Sequence, residues 1–185
     1  MASVLTPKAR GIEPVRTGAV AKAAAELLAA DAAFLAHLGA GDAVTGAHRL
    51  HAQYVPLRSG DGAESDAAPV WCLVREMDTV GPGGRRAQPG GLVRVTVQVQ
   101  VSADESAVTD GGGYPPDVLA TAHELAYAAL QDEPLAGRSF RSEGLIWRTD
   151  EPSPPRLDPA SGRLYSSALF FLNAVPTAGT GGVDG

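Results

Sequence analysis

Polar and apolar residues alternate without a break over residues 93–101, which read VRVTVQVQV. A strand with this pattern places its valines on one face, where they require a hydrophobic core. The opposite face carries the polar side chains of Arg94, Thr96, Gln98 and Gln100. We therefore predict a strand over 92–102 whose polar face meets water, a ligand or another subunit.

Two alanine-rich segments have their apolar residues at helical spacing instead. The first covers 18–38 and predicts one helix, because the spacing is regular throughout and glycines follow it. The second begins at Pro115, which suits the first turn of a helix, and Pro134 and Gly137 end it. Each predicted helix presents one apolar face to a core.

Further segments have the apolar and β-branched residues typical of strands, namely 48–55, 70–77, 139–149 and 164–175. Long irregular segments, rich in glycine, proline and small residues, lie at 56–69, 80–91 and 103–114. The DPASG sequence before the last strand consists of good turn residues. It predicts that the last two strands form a hairpin.

The order of these elements predicts an α+β fold. Helix, three strands, helix and two strands are most simply arranged as a mainly antiparallel twisted sheet of about four to five strands, with two helices packed on one face. We assign a single domain to 17–175. Residues 1–16 are predicted to be an extended arm, disordered or lying on a neighbour, and 176–185 a flexible tail.

The last predicted strand is apolar on both faces. Phe170 and Leu172 point to one face, and Leu169 and Phe171 point to the other. Because helices cover only one face of the predicted sheet, the second apolar face needs another surface to bury it. Self-association of the chain is the simplest way to supply that surface.

Composition narrows the classes of function. The net charge of -6 gives no basic field to hold nucleic acid, so tight wrapping of DNA is disfavoured. The single cysteine, Cys72, lies in the apolar run VWCLV, which excludes an intrachain disulfide and predicts a buried thiol. Without an apolar run of membrane-spanning length or a signal-peptide core, we expect no membrane contact and folding in a reducing cytoplasm.

Catalytic and metal-binding patterns are missing from the sequence. The histidines are scattered, and His48 and His51 would point to opposite faces of a strand, so no metal site is predicted. The G-x-S-x-G, Walker and H-E-x-x-H motifs do not occur. We predict a protein that is not an enzyme and needs no cofactor. The rival hypothesis is a small ligand-binding or enzymatic domain with a pocket around His123, Glu124 and Tyr127.

Arg85 and Arg86 lie between glycines in an irregular segment. They are either solvated charges or contacts for phosphate or for the carboxylates of a partner. The glycine clusters around them lack the strand-to-helix arrangement of a phosphate-binding loop. The glycines therefore indicate a flexible connection rather than a nucleotide site.

The succession of patterns resembles a known family. The chain is similar to the tail-terminator, or tail-completion, proteins of long-tailed bacteriophages and gene transfer agents. The similarity lies in the order of LLAADAAFLAHLGAG, a strand pair, the alternating strand VRVTVQVQVSAD, the helix ATAHELAYAAL and the closing DPASGRLYSSALFFLNA. The resemblance covers roughly 20–175 and consists of helix and strand patterns rather than catalytic signatures. The long segments 56–69 and 80–91 depart from the shorter members of that family.

The resemblance implies a structural protein of the virion neck, assembled in the cytoplasm of the bacterial host. Copies of such a protein form a ring, expected to be hexameric, at the head-proximal end of the tail tube, end tube polymerisation and provide the head-docking surface. The implied partners are other copies of the chain, the tail tube protein and a head-tail connector or stopper protein. DNA passes through the lumen without specific binding. The alternative is another neck component, an adaptor or a stopper.

Under this interpretation, the interface or lumen candidates are Arg85, Arg86, Arg94, Thr96, Gln98, Gln100, Leu169 and Phe171. They come from the glycine-rich segment, from the polar face of the alternating strand and from the second apolar face of the last strand. The resemblance implies no catalytic residues among them.

Overall fold

The computed structural model describes residues 18–40, 49–53, 68–77, 93–107, 114–137, 140–141, 148–149 and 151–176. The predicted N-terminal arm, nearly all of the predicted tail and most of the long connecting segments lie outside these residues. The domain limits of 17–175 therefore stay a prediction. Within the described residues the chain is an α+β domain, as predicted from the order of the elements.

Three helices and eight strands are formed by the described residues. The helices are α1 (Ala19–Ala30), α2 (Ala32–His37) and α3 (Pro115–Leu130). The long strands are β2 (Val70–Met77), β3 (Val93–Ala103) and β8 (Arg163–Pro176). The short strands are β1 (Leu50–Ala52), β4 (Ala136–Gly137), β5 (Phe140–Arg141), β6 (Arg148–Thr149) and β7 (Arg156–Asp158). Strand β8 extends one residue beyond the predicted domain limit.

The sheet is mixed, with the strand order β1-β2-β3-β8-β5-β4, and β6 and β7 also pair with β8. Every strand pair formed by the described residues is antiparallel except β1 with β2, which is parallel. The sheet is thus mainly antiparallel, as predicted, with one parallel pair that the sequence did not indicate. Residues 53–69 separate the two strands, which is long enough for the crossover connection that a parallel pair needs.

The hydrophobic core lies between the helices and one face of the sheet, as the alternating strand predicts. Val97 and Val99 of β3 are fully buried in it, and Phe170 pairs in register with Val97 on the neighbouring β8. Burying a valine or phenylalanine side chain stabilises the folded state by about 1.5–3 kcal/mol. We call this covered side the inner face of the sheet and the opposite side the outer face.

The predicted first helix is in fact two helices, because the chain leaves the helical conformation at Asp31. This residue is extended, with φ -84° and ψ 108°, and its Oδ1 accepts a hydrogen bond of 2.7 Å from the backbone N–H of Phe34. Asp31 therefore caps the start of α2. The change of direction places Phe34 in the core, where it is fully buried.

The start of α1 is held by a residue from the sheet. Gly18 precedes the helix with φ 85°, a conformation that favours glycine, and has no side chain to cap the helix. The Oε1 atom of Glu76 on β2 accepts hydrogen bonds from the N–H groups of Val20, at 2.9 Å, and Ala21, at 3.4 Å. A carboxylate at this position is stabilised by the positive end of the helix dipole.

The turn before β8 is formed by the residues that were predicted to form it. The strand directly before this turn is not the predicted one. Gly162 has φ 71°, and the carboxylate of Asp158 accepts hydrogen bonds from Ala160 N–H and Ser161 Oγ. The strand that enters the turn is β7. The predicted strand over 139–149 is represented by β5 and β6, which are two residues long and also pair antiparallel with β8.

Candidate assembly surface

The outer face of the sheet carries most of the predicted interface residues that the structure describes. Arg94 on β3 is exposed, and its guanidinium carbon lies 4.7 Å from the ring centroid of Phe171 on β8. Phe171 itself is half-buried. A cation-π contact at an exposed position stabilises by about 0.5–1 kcal/mol. It keeps the ring in place while leaving part of it accessible.

A second row crosses three strands of the outer face. Arg75 on β2, Gln98 on β3 and Leu169 on β8 are register partners, and all three are half-buried. Arg75 Nε donates a hydrogen bond of 2.6 Å to Gln98 Oε1. This hydrogen bond holds the two side chains together as a polar strip directly beside the aliphatic side chain of Leu169.

Thr96 does not behave like its polar neighbours on β3. Thr96 is only 2% exposed and lies between its register partners Met77 and Phe171. Its side chain is therefore already covered within one copy of the chain and is not available to a lumen or to a neighbouring copy. The expectation that the whole polar face of this strand stands open is therefore too simple. Gln100 is half-buried. Arg85 and Arg86 lie outside the described residues.

One end of the outer face is closed by Arg163, a residue that sequence reasoning passed over. Its Nε donates to Ser102 Oγ at 3.0 Å, and its Nη2 donates to the backbone oxygen of Ala68 at 2.9 Å. Its guanidinium carbon lies 5.9 Å from the ring centroid of Trp71, and Nη1 lies 3.5 Å from Asp104 Oδ2. These contacts join β8 to the ends of β2 and β3, and no local sequence pattern signals them.

A groove on the inner side of the sheet is the second candidate surface. It lies between α3 and residues 151–155, with Ser166 and Ala168 of β8 on its floor, and has a volume of about 910 Å³. We call it the α3 groove. Ser153 attaches its outer wall to β8, because its N–H donates to Ser167 O at 2.7 Å and its Oγ accepts from Ser167 N–H at 3.0 Å.

The floor of the α3 groove holds a buried polar pair. His123 is 4% exposed, and its Nε2 lies 2.7 Å from Ser166 Oγ. Its Nδ1 has no hydrogen-bond partner among the described residues. Burial lowers the pKa of His123 to about 4, against a smaller raising effect of its hydrogen bond with Ser166, so the imidazole is neutral at neutral pH.

The His123 and Ser166 pair does not have the arrangement of a nucleophile and its base. Such a pair needs a third group that orients the histidine, and Nδ1 has none among the described residues. A pKa near 4 also makes the imidazole a weak base at neutral pH. The pocket of the rival hypothesis does exist as a surface, since His123, Glu124 and Tyr127 all line the α3 groove.

Other chemistry is sparse in the described part of the chain. Cys72 is fully buried, as predicted, and burial raises the pKa of its thiol, which makes it unreactive. Within the described ranges, no three histidine, cysteine or acidic side chains are grouped closely enough to bind a metal ion. None of the helices described is long and apolar enough to cross a membrane.

The fold and the two surfaces define an α+β protein with a helix-covered inner sheet face and an outer face that is only partly covered. No protein-family model matches the chain, and no curated protein matches it. Among solved structures, the chain is similar to a protein chain in the virion of a native gene transfer agent particle, with a TM-score of 0.53 and 17% sequence identity. The likeness covers 86% of this chain and 96% of that chain, and at this identity it shows a shared fold.

Proposed function

We propose that the protein is a structural subunit of a phage-like particle, and specifically a tail terminator. Its copies form a ring, which we expect to be hexameric, at the head-proximal end of the tail tube. The ring ends tube polymerisation and provides the surface on which the head docks. Its partners are other copies of the chain, the tail tube protein and a head-tail connector or stopper protein.

The observation that carries this proposal is the fold shared with a chain of a gene transfer agent virion. The likeness spans nearly the whole of both chains, so it concerns the complete arrangement of helices and sheet rather than one common motif. It favours a virion component over the other classes. The more specific role of a terminator rests on the resemblance of the sequence patterns.

The outer face supplies the physical argument for self-association. A closed head-to-tail ring needs two different patches that are complementary to one another. Leu169 and Phe171 add apolar area that is half-buried in the protomer, and Arg94 adds an exposed guanidinium next to them. Aromatic residues and arginine are the types enriched in protein interfaces. We assign the outer strip of Arg94, Gln98, Leu169 and Phe171 to an interface or to the lumen.

The charge of the chain suits passage of DNA without binding. Proteins that hold DNA neutralise many phosphates with lysine and arginine, and this chain has a net charge of -6. A ring of such subunits carries no net positive charge with which to hold the duplex. DNA is therefore a molecule that passes through the ring in our proposal, and not a ligand.

Electron microscopy of particles produced without this gene tests the proposal. Loss of a terminator predicts over-long tails or tails that are not joined to heads. Heads that lose their DNA while tails keep their normal length would instead identify the alternative neck component, an adaptor or stopper. Normal particles would refute both roles. A complementing copy of the gene supplies the control.

The α3 groove favours a second candidate, a small ligand-binding domain, because its volume of about 910 Å³ lies in the range of sites for small molecules. That candidate predicts no loss of particle assembly when His123 is replaced by glutamine. A survey of small-molecule binding by thermal shift, with His123→Gln as the matched variant, separates the two. A ligand that stabilises the wild type and not the variant would support the second candidate.

A further inference from the structure

We propose that the α3 groove binds the N-terminal segment, residues 1–17, of a neighbouring copy of this chain. The inference rests on the proposed function, because it requires copies arranged side by side in a ring. It adds a second contact to the one on the outer sheet face. The groove and the outer face lie on opposite sides of the sheet, so the two contacts do not compete for the same surface.

The shape and lining of the groove suit a short extended peptide. Its walls are formed by α3 on one side and by a proline-rich segment on the other, and they include Leu119, Pro152 and Pro155. Tyr127, which also lines the groove, is 43% exposed although it is a large aromatic residue. An occupant with aliphatic side chains would cover this surface, and the first 17 residues offer Val4 and Leu5.

The floor of the groove needs a hydrogen-bond partner. His123 Nδ1 is buried and has no partner among the described residues. A neutral imidazole has one donor and one acceptor nitrogen. If Nε2 donates to Ser166 Oγ, Nδ1 needs a donor as its partner, and if Nε2 accepts, Nδ1 needs an acceptor. An extended peptide backbone carries both an N–H and a carbonyl at every residue that is not proline, and it can satisfy either form.

Charge favours the N-terminal segment over the C-terminal one as the occupant of the groove. The two walls of the groove carry Glu124 and Glu151, both exposed, and the described lining includes no lysine or arginine. The first 17 residues contain Lys8, Arg10 and Arg16 against a single acidic residue. Residues 177–185 contain no cationic residue, so they lack this complementarity.

The position of α1 indicates that the groove of a neighbour is the target. The helix begins beside Gln53, which follows β1, and its first N–H groups bind Glu76 of β2. The groove lies along β8, which is separated from β2 by β3, and its outer wall is formed by residues 151–155. A head-to-tail ring brings two different surfaces of adjacent copies together. Seventeen extended residues reach up to about 55 Å, so length does not limit the contact.

Disulfide trapping in the full-length protein tests the proposal. One preparation carries Leu5→Cys and a second, labelled with nitrogen-15, carries Ala120→Cys in the groove. The native thiol of Cys72 is buried and stays unreactive. The matched control is Ala128→Cys, because Ala128 is also exposed on α3 but does not line the groove. The mixed disulfide is identified by its mass after mild oxidation.

We expect the mixed disulfide with Ala120→Cys to form at least about tenfold faster than the one with Ala128→Cys, because docking raises the local concentration of the segment. Glu124→Lys should reduce that preference severalfold, while Glu133→Lys, an exposed position outside the lining, should not. Equal rates at positions 120 and 128 would overturn the proposal. A third preparation carries Leu5→Cys and Ala120→Cys in the same chain, and a disulfide that forms only within that chain would also overturn the proposal.

Native mass spectrometry of the same samples separates failure of this inference from failure of the proposed function. Rings that form without the selective disulfide would refute the docking of the N-terminal segment and leave the ring standing. A protein that is monomeric and shows no selective disulfide would count against both. Rings that carry the disulfide between adjacent copies are the result we expect.

Discussion

The two faces of the sheet differ although the same strands build them. On the inner face, Val97 and Phe170 are register partners and both are fully buried beneath the helices. On the outer face, their neighbours Gln98 and Phe171 are half-buried. Beneath the helices, the inner face is therefore already complete within one copy of the chain, and the α3 groove beside them is its open part. The outer face leaves Gln98 and Phe171 half-buried across the strands themselves, so its surface is left for contacts outside the protomer.

The adjacent phenylalanines of β8 give the largest expected contrast. Phe170→Ala removes a fully buried ring and should lower the free energy of unfolding by about 3–5 kcal/mol. Phe171→Ala removes a half-buried ring on the outer face and should cost much less, about 1 kcal/mol. Chemical denaturation of the two variants measures the difference. Equal losses would show that the two faces are buried alike.

His123 makes the inner side sensitive to acid. Its pKa is about 4 in the folded protein and 6.5 when unperturbed, so the unfolded chain binds more protons between these values. Stability is therefore fully present above about pH 6.5 and falls as the pH drops towards 4, by up to about 3 kcal/mol.

The variant His123→Gln isolates this effect, because it removes the titrating group. We expect the difference in unfolding free energy between pH 7.5 and pH 4.5 to be smaller in the variant than in the wild type. Denaturation curves of both proteins at both pH values give the four unfolding free energies that this comparison requires. The same pH dependence in both proteins would mean that His123 is not held neutral.

Asp31 determines how the helices meet the inner face. Asp31→Ala removes the cap of α2, which positions Phe34 in the core, and should cost about 1 kcal/mol. Asp31→Asn keeps a side-chain oxygen at this position and should cost little. Thermal unfolding of the pair provides the comparison. If both variants lose the same stability, the carboxylate acts through its charge rather than as a cap.

Arg94 gives the smallest effect on the protomer. Arg94→Ala removes one cation-π contact with Phe171 at the surface and should change the unfolding free energy by about 1 kcal/mol or less. We expect it to weaken self-association much more than it weakens the fold. Sedimentation velocity together with denaturation tests this. A large loss of stability with unchanged association would reverse the roles that we give to the two faces.

Local sequence patterns predicted the elements and the core of this fold. The alternation in β3 identified the buried valines, and turn residues around Gly162 identified the turn before β8. The break at Asp31 was missed, although aspartate is a strong capping residue, because the apolar spacing continues across it. Periodicity reports which residues face a core and says little about where a helix is interrupted.

Contacts between distant segments could not be read from the sequence. The parallel pairing of β1, the cap that Glu76 gives to α1, and the anchoring of Arg163 each join residues far apart in the chain. The α3 groove also depends on such a contact, because His123 meets Ser166 only when α3 packs on β8. The candidate residues of the outer face could be predicted because strand alternation is a local pattern. The burial of Thr96 could not be predicted, because it depends on side chains of the neighbouring strands.

The mass of the assembly in solution tests the central claim most directly. Native mass spectrometry of the full-length protein, alone and with the tail tube protein, should detect a closed ring of six copies. The double variant Leu169→Asp and Phe171→Asp should remain a folded monomer under the same conditions. A wild-type protein that is monomeric in both samples, or a double variant that assembles as the wild type does, would contradict the account.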